Sequence, residues 1–315
     1  MEKKYYVGID LGGTFIKGGI VDNNGNILCD DKTPTETEKG DKKVAENIAN
    51  LALKLIQQAN LNVEQIVGLG MGCPGMIDSK TGEVIFSNNL AWEHFFVADE
   101  VAKLTNLKVK IANDANVAAL GEVKFGVAKD YSSAVMITLG TGVGGGVVID
   151  GQLMEGNKSA GAELGHSVIV YGGEQCTCGR KGCMEAYASA TALIRDTKRA
   201  MEKHKDSKMW QIGGLDKVTG QTAFDFKDTD SYAKEVVENY ISYLACGLTN
   251  FANVFRPEVI LLGGGVCGEG DNLVLPLQEK LNKEIFAGDK GPSVPILIAS
   301  LGNKAGLLGA AALFM

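Results

Sequence analysis

Four metal-binding side chains crowd one short stretch of this chain: His166, Cys176, Cys178 and Cys183, in ELGHSVIVYGGEQCTCGRKGC, residues 163–183. Three thiolates and one imidazole fill a tetrahedral zinc and leave no position for an activated water, so the spacing predicts a structural zinc. Three reduced thiols would be the plain alternative; their crowding around Gly179 and Gly182 favours the metal. A carboxylate stands at each end, Glu163 and Glu185. Both can accept hydrogen bonds from a polyol, and the second ring nitrogen of His166 can donate one.

Glycine loops supply a second kind of chemistry. Asp10-Leu11-Gly12-Gly13-Thr14, with Lys17, follows an apolar run. Glycines let backbone N–H groups approach phosphate oxygens, Thr14 adds a hydroxyl, and Asp10 can orient a hydrated magnesium ion. Thr138, Gly140, Thr141 and Gly142 open a second such loop, GTGVGGG. Its glycines match the dinucleotide-binding fingerprint, but that fingerprint must open a helix, and this loop runs into the strand-like VVID. A phosphate-cradling hairpin is the better reading. Gly263, Gly264 and Gly265 follow a strongly apolar strand and leave room for a flat ring. Asn113-Asp114 stands where a strand stops and a helix starts. From position alone Asp114 reads as a helix cap; the chemical alternative is a general base at the carboxyl end of a strand.

The elements that must position these groups alternate between strand and helix, which argues for an α/β fold. Strands are expected at Tyr5–Asp10, Gly18–Asp22, Ile66–Gly72, Val109–Ala112, Ser133–Thr138, Gly146–Ile149 and Val259–Leu262. Helices are expected at Lys43–Asn60, Phe96–Thr105, Ala115–Phe125, Ala186–Met201, Tyr232–Asn253, Leu273–Glu284 and Lys304–Phe314. The polar stretch Lys203–Asp230 reads as a surface excursion. IDLGGTFIKGGIVD (Ile9–Asp22) aligns without gaps to ITLGTGVGGGVVID (Ile137–Asp150). Two such hairpins predict two similar lobes facing one ligand.

A length of 315 residues favours two domains. The net charge of −7 gives no reason to bind nucleic acid or anionic membrane. No apolar run approaches a membrane span, and MEKKYYVGID enters a strand at once, so no signal peptide is expected. The odd count of seven cysteines fits one metal site and buried thiols in a reducing, cytoplasmic setting. His94 and His204 stand beside no cysteine and read as surface or packing residues.

The set DLGGT with Lys17, GCPG (residues 72–75), NNLAW (88–92), NDAN (113–116), GTGVGGG, ELGH, CTCGRKGC followed by Met184-Glu185, and LLGGGV resembles the ROK family of sugar kinases and repressors. The resemblance runs from about Gly8 to the end of the chain, in order. It implies a two-lobed actin-like ATPase (ribonuclease H-like) fold with ATP and a hexose in the cleft. The lobes would divide at 112/113, with residues 113–302 carrying the zinc and the last helix, about 303–315, packing back on the small lobe. By the same resemblance Asp114 is the general base. Asn89, Asn113, Asp114, Glu163, His166 and Glu185 bind the sugar. His166, Cys176, Cys178 and Cys183 hold zinc. Asp10, Gly12, Gly13, Thr14, Lys17, Thr138, Gly140, Thr141 and Gly142 serve phosphates and magnesium, and Gly263–Gly265 the adenosine. A homodimer or homotetramer is also implied.

The expected activity is ATP-dependent formation of glucose 6-phosphate, since NNLAW resembles the glucokinase members. N-acetylmannosamine, N-acetylglucosamine, fructose and allose are alternative acceptors, because the binding residues address hydroxyls that many hexoses share; polyphosphate is an alternative donor. A repressor would need a helix-turn-helix segment before the first loop, for which no room is expected ahead of Asp10. A zinc-organised sugar-binding module without chemistry would not need two phosphate loops.

Overall fold

The computed structural model of the chain describes residues 4–315; the expectation drawn from the first ten residues falls partly on residues 1–3, outside the described ones. Two five-stranded sheets carry the fold. In the first, β1 (Tyr5–Leu11), β2 (Phe15–Asp22) and β3 (Ile27–Pro34) form an antiparallel meander. Next come β4 (Ile66–Cys73), a small sheet of β5 (Met76–Asp78), β6 (Glu83–Ser87) and β7 (Trp92–Phe95), and β8 (Val109–Asn113). β4 and β8 extend the first sheet in parallel, giving the order β3-β2-β1-β4-β8. The second sheet contains β9 (Ala134–Leu139), β10 (Val143–Ile149), β11 (Gln152–Leu153), β12 (Val259–Gly263) and β13 (Ile296–Ile298), in the order β11-β10-β9-β12-β13. The two orders are the same. The sequence repeat Ile9–Asp22 and Ile137–Asp150 lies on β1–β2 and β9–β10, equivalent places in the two sheets. This duplicated α/β topology is that of the actin-like fold.

Helices α1 (Asp41–Gln58), α2 (Val97–Thr105) and α3 (Asp114–Phe125) accompany the first sheet. Along α1, Val44, Ile48, Leu51, Leu55 and Ile56 recur at helical spacing and are buried against Ile9, Ile16 and Ile20. Helices α4 (Glu185–Ala188), α5 (Ala190–Lys203), α6 (Thr222–Phe226), α7 (Ser231–Phe255) and α8 (Asp271–Glu284) follow. The final helix, α9 (Ala305–Ala312), reads AGLLGAAA. Glycines on the first sheet let the backbone of this helix touch the strands: a Cβ added at Gly8 of β1 would sit 2.1 Å from the Leu307 carbonyl oxygen, and one at Gly70 of β4 1.8 Å from that of Ala310.

The chain forms two compact units. The first runs through Ser133 and takes back Gly146–Ala162 and Ser300–Met315; the second holds Ala134–Gly145 and Glu163–Ala299. A break at 112/113 is expected from the sequence, but α3 stays with the first unit because it packs backbone to backbone on α9. A Cβ at Gly309 would meet the Val117 carbonyl oxygen at 1.6 Å.

Two other expectations change. Ala186–Met201 is not one helix: Ser189 is extended, and its Oγ accepts the Ala192 N–H at 3.0 Å to start α5. The stretch Lys203–Asp230 is not a bare excursion, since Met209, Val218, Ala223 and Phe224 are buried. Trp210 Nε1 donates to the Met201 carbonyl at 3.0 Å, and the Asp230 carboxylate accepts from Lys208 N at 2.6 Å and Tyr232 N at 2.8 Å. His204 stacks on Tyr232 at 3.8 Å, and His94 is exposed beside Glu83. No helix among the described residues is long and apolar enough to cross a membrane.

Candidate active site

In the first unit, three parallel strands end side by side. Asp10 of β1 is in register with Gly72 of β4, and Cys73 of β4 with Asn113 of β8. Open parallel sheets bind ligands at such carboxyl ends. Asp10 and Asp114 are close enough to Cys73 to act on it electrostatically: burial pushes the Cys73 thiol up, and the charges of Asp114 and Asp10 push it further. The Lys17 ammonium lies 3.4 Å from Asp10 Oδ2.

The cap question has a clear answer. Asn113, not Asp114, is the N-cap of α3; its Oδ1 accepts from Ala115 N at 2.9 Å and Asn116 N at 3.3 Å. Its Nδ2 donates to the Gly75 carbonyl at 3.2 Å, which ties the GCPG turn to the helix start. Asp114 therefore occupies the first helical position, exposed, with Oδ1 accepting the Ala115 N–H at 2.9 Å. A carboxylate there is favoured by the helix dipole. The first glycine loop is closed by Gly12 N donating to the Phe15 carbonyl at 3.0 Å and by Thr35 Oγ1 donating to the Gly12 carbonyl at 2.7 Å. Thr14 is exposed, and Gly13 faces the backbone of Asn89, whose carbonyl oxygen a Cβ at 13 would approach to 2.9 Å.

In the second unit, Thr138 is in register with Gly263, so the second glycine loop and Gly263–Gly265 lie at neighbouring strand ends. Gly264 has φ 96° and lies against Leu139 of β9, so only glycine fits there. Gly140–Gly142 is a hairpin turn into β10, as its sequence predicts. Thr141 is exposed, and its carbonyl accepts from Thr191 Oγ1 at 2.7 Å. The ELGH turn lies flush on this hairpin. Leu164 covers Gly145, and a Cβ at Gly165 would come within 2.0 Å of the Val143 carbonyl oxygen. Glu163 is exposed at the start of that turn.

His166, Cys176, Cys178 and Cys183 come together, with one ligand atom from each within 4.8 Å of the others. His166 Nδ1 lies 3.6 Å from Cys176 Sγ, and Cys178 Sγ 3.6 Å from Cys183 Sγ. A tetrahedral zinc with Zn–S bonds of about 2.3 Å requires ligand separations of about 3.7 Å, so the cluster fits that ion. Burial and then its neighbours Cys178 and Cys176 push the Cys183 thiol up to about 12; a dication would reverse that cost. The loop turns at Gly179, φ 90°. With Nδ1 on the cluster side, Nε2 is the nitrogen of His166 left for other work.

Glu185 does more than its spacing suggests. Its Oε2 accepts from Val143 N at 3.0 Å and its Oε1 from Thr177 Oγ1 at 2.8 Å. It bridges the cysteine loop to the second glycine hairpin. Thr177 was not among the expected site residues; its place between two clustered cysteines was the available signal.

Comparison with known proteins settles the ancestry of this arrangement. Residues 6–315 match the ROK family. The chain belongs to the ROK family. The glucokinase of Halalkalibacterium halodurans is 36% identical to this ROK protein, over 98% of this chain and 94% of that one. The glucokinase of Thermotoga maritima is also 36% identical, over 99% and 98%. Among solved structures, a ROK family glucokinase from Streptomyces griseus in complex with glucose and AMPPNP superposes with a TM-score of 0.77 at 32% identity, covering 98% of each chain.

Proposed function

We propose that this protein is an ATP-dependent hexokinase that converts glucose to glucose 6-phosphate. The observation that carries the reading is the pair of carboxylates, Asp10 and Asp114, at the ends of the two strands that flank β4 and its buried Cys73. The activity named for its glucokinase relatives supports the sugar, and the glucose and AMPPNP bound to the Streptomyces griseus glucokinase support the sugar and the donor.

In this reading Asp114 accepts the proton of the 6-hydroxyl as that oxygen attacks the γ-phosphorus. The new O–P bond forms while the bond to the departing ADP breaks, and the proton ends on the Asp114 carboxylate. Asn113, not Asp114, supplies the N-cap of the helix, and Asp114 stands exposed at its first position. Backbone N–H groups at Gly12, Gly13, Gly140 and Gly142, with the hydroxyls of Thr14, Thr138 and Thr141 and the Lys17 ammonium, would meet the phosphates. Gly263–Gly265 would border the adenosine. A magnesium ion binds through few carboxylates and substrate phosphates, which suits the single half-buried carboxylate of Asp10; it would neutralise charge on the transferred group. Asn89, Asn113, Glu163, His166 Nε2 and Glu185 are assigned to sugar hydroxyls. A zinc at His166, Cys176, Cys178 and Cys183 would hold the His166 ring and the base of Glu185 in place, a structural role.

A panel of glucose, N-acetylmannosamine, N-acetylglucosamine, fructose and allose, assayed with ATP and magnesium, tests the assignment. The highest kcat/KM is expected for glucose. A higher value for another hexose would move the substrate, and no phosphorylated product with any sugar would overturn the reading.

A further inference from the structure

Glu122 is fully buried on α3, and its carboxylate holds three donors. Oε1 accepts from Leu301 N at 2.7 Å; Oε2 accepts from Val127 N at 3.0 Å and Ser300 Oγ at 3.1 Å. Ser300 and Leu301 are the first two residues of the segment that returns to the first unit and becomes α9. Val127 lies just past the end of α3. Gly126 gives the carboxylate its room, since a Cβ there would lie 1.9 Å from Oε2. One carboxylate thus fastens the end of α3 to the entry of α9.

Both helices lead to the candidate catalytic carboxylates. Asp114 is the first residue of α3, eight positions before Glu122 and therefore about 12 Å along the helix. On α9, Gly306 lies against Asp10: a Cβ there would sit 3.0 Å from the Asp10 carboxyl carbon. Backbone contact between Gly309 and Val117 makes the two helices one rigid piece.

We infer that Glu122 is a positioning residue for phosphoryl transfer, setting Asp114 and Asp10 relative to each other by locking α3 to the start of α9. This rests on the kinase reading above. The buried carboxylate needs both oxygens as acceptors. An amide in either orientation sets an NH₂ against a backbone N–H, Val127 or Leu301, so Glu122→Gln cannot restore the lock.

The test combines steady-state kinetics with amide hydrogen exchange on wild type, Glu122→Gln and Ser300→Ala. Glu122→Gln should stay folded, lose kcat by about tenfold or more, and change KM for glucose and ATP by less than about threefold, because misplacing a reacting group costs turnover before it costs binding. Exchange should quicken at Val127, at Leu301 and in the first turn of α3. Ser300→Ala removes one donor and should show the same pattern in weaker form, which keeps the test open if Glu122→Gln fails to fold. Unchanged kcat, or kcat and KM moving together, would overturn the inference. So would exchange that quickens at 127 and 301 alone. If wild type transfers phosphate to no hexose, the kinase reading falls by itself, and the exchange pattern still decides whether Glu122 orders the start of α3.

Discussion

Removing Glu185 should damage the nucleotide side of the site as well as the sugar side. Its two oxygens join Val143 N of the glycine hairpin to Thr177 Oγ1 of the cysteine loop, at 3.0 and 2.8 Å. Glu185→Ala removes both acceptors and leaves the N–H of buried Val143 unpaired, at a cost of about 2 kcal/mol. If that cost falls on the ordered hairpin, the binding-competent fraction drops and KM for ATP rises by up to roughly 30-fold. Glu185→Gln differs in an instructive way. Its amide oxygen can still accept from Val143 N, and its NH₂ can donate to Thr177, because a hydroxyl works in both directions. The Gln variant should therefore keep KM for ATP within about fivefold of wild type, losing only the charge-assisted part of the bond. Thr177→Val should have a small effect in wild type and almost none added to Glu185→Ala, since the two act through one bridge. Steady-state kinetics with glucose and ATP varied in turn reads all of this. If Glu185→Ala raises KM for glucose alone and leaves ATP untouched, Glu185 is a sugar ligand only and the bridge reasoning fails.

Other consequences follow from the same geometry. Chelation, or Cys178→Ala, should lower the melting temperature and raise KM for glucose together, because His166 and Glu185 depend on the cysteine loop; a normal melting temperature and KM in zinc-free protein would remove the metal from the account. Gly309→Ala places a methyl 1.6 Å from the Val117 carbonyl oxygen and should destabilise by about 3 kcal/mol or more in denaturant titration, whereas an unchanged midpoint would refute the close helix contact. The Arg199 guanidinium holds the Glu174 carboxyl below its ordinary value of 4.5. Its folded value is depressed, so the stabilisation is present above the unfolded value and is lost as pH falls through the folded one. Glu174→Gln should therefore lower the melting temperature slightly near pH 7, the pair being partly exposed, and the gap should close as pH drops below 4.5. A gap that stays constant down to pH 3 would count against the pair.

Much of this architecture could be read from residue patterns because its causes are local. The repeat Ile9–Asp22 and Ile137–Asp150 announces two equivalent hairpins, since glycine turns and alternating apolar residues act within a few positions. The cysteine cluster is legible for the same reason: its ligands are close in sequence and tightly turned at Gly179. What escaped notice depends on distant partners. Strand β3, ILCDDKTP, is an edge strand with charged residues on its open face, so its alternation is weak. The polar Lys203–Asp230 stretch hides Met209 and Phe224, whose burial depends on elements far along the chain. Asn113 and Asp114 are neighbours of similar capping chemistry, and only the hydrogen bonds to Ala115 and Asn116 separate their roles. A lone glutamate on a helix reads as solvent-facing, so Glu122 was silent until Val127 and Ser300–Leu301 were placed around it.

The most direct test of the central claim is the rate of glucose 6-phosphate formation by Asp114→Asn with saturating ATP, magnesium and glucose. Asparagine keeps the shape of the side chain but cannot take the hydroxyl proton. Turnover should fall by about 10²–10⁴-fold, with the melting temperature near that of wild type. Turnover within a few-fold of wild type would contradict the account, because the proton would then leave by a route that does not use Asp114.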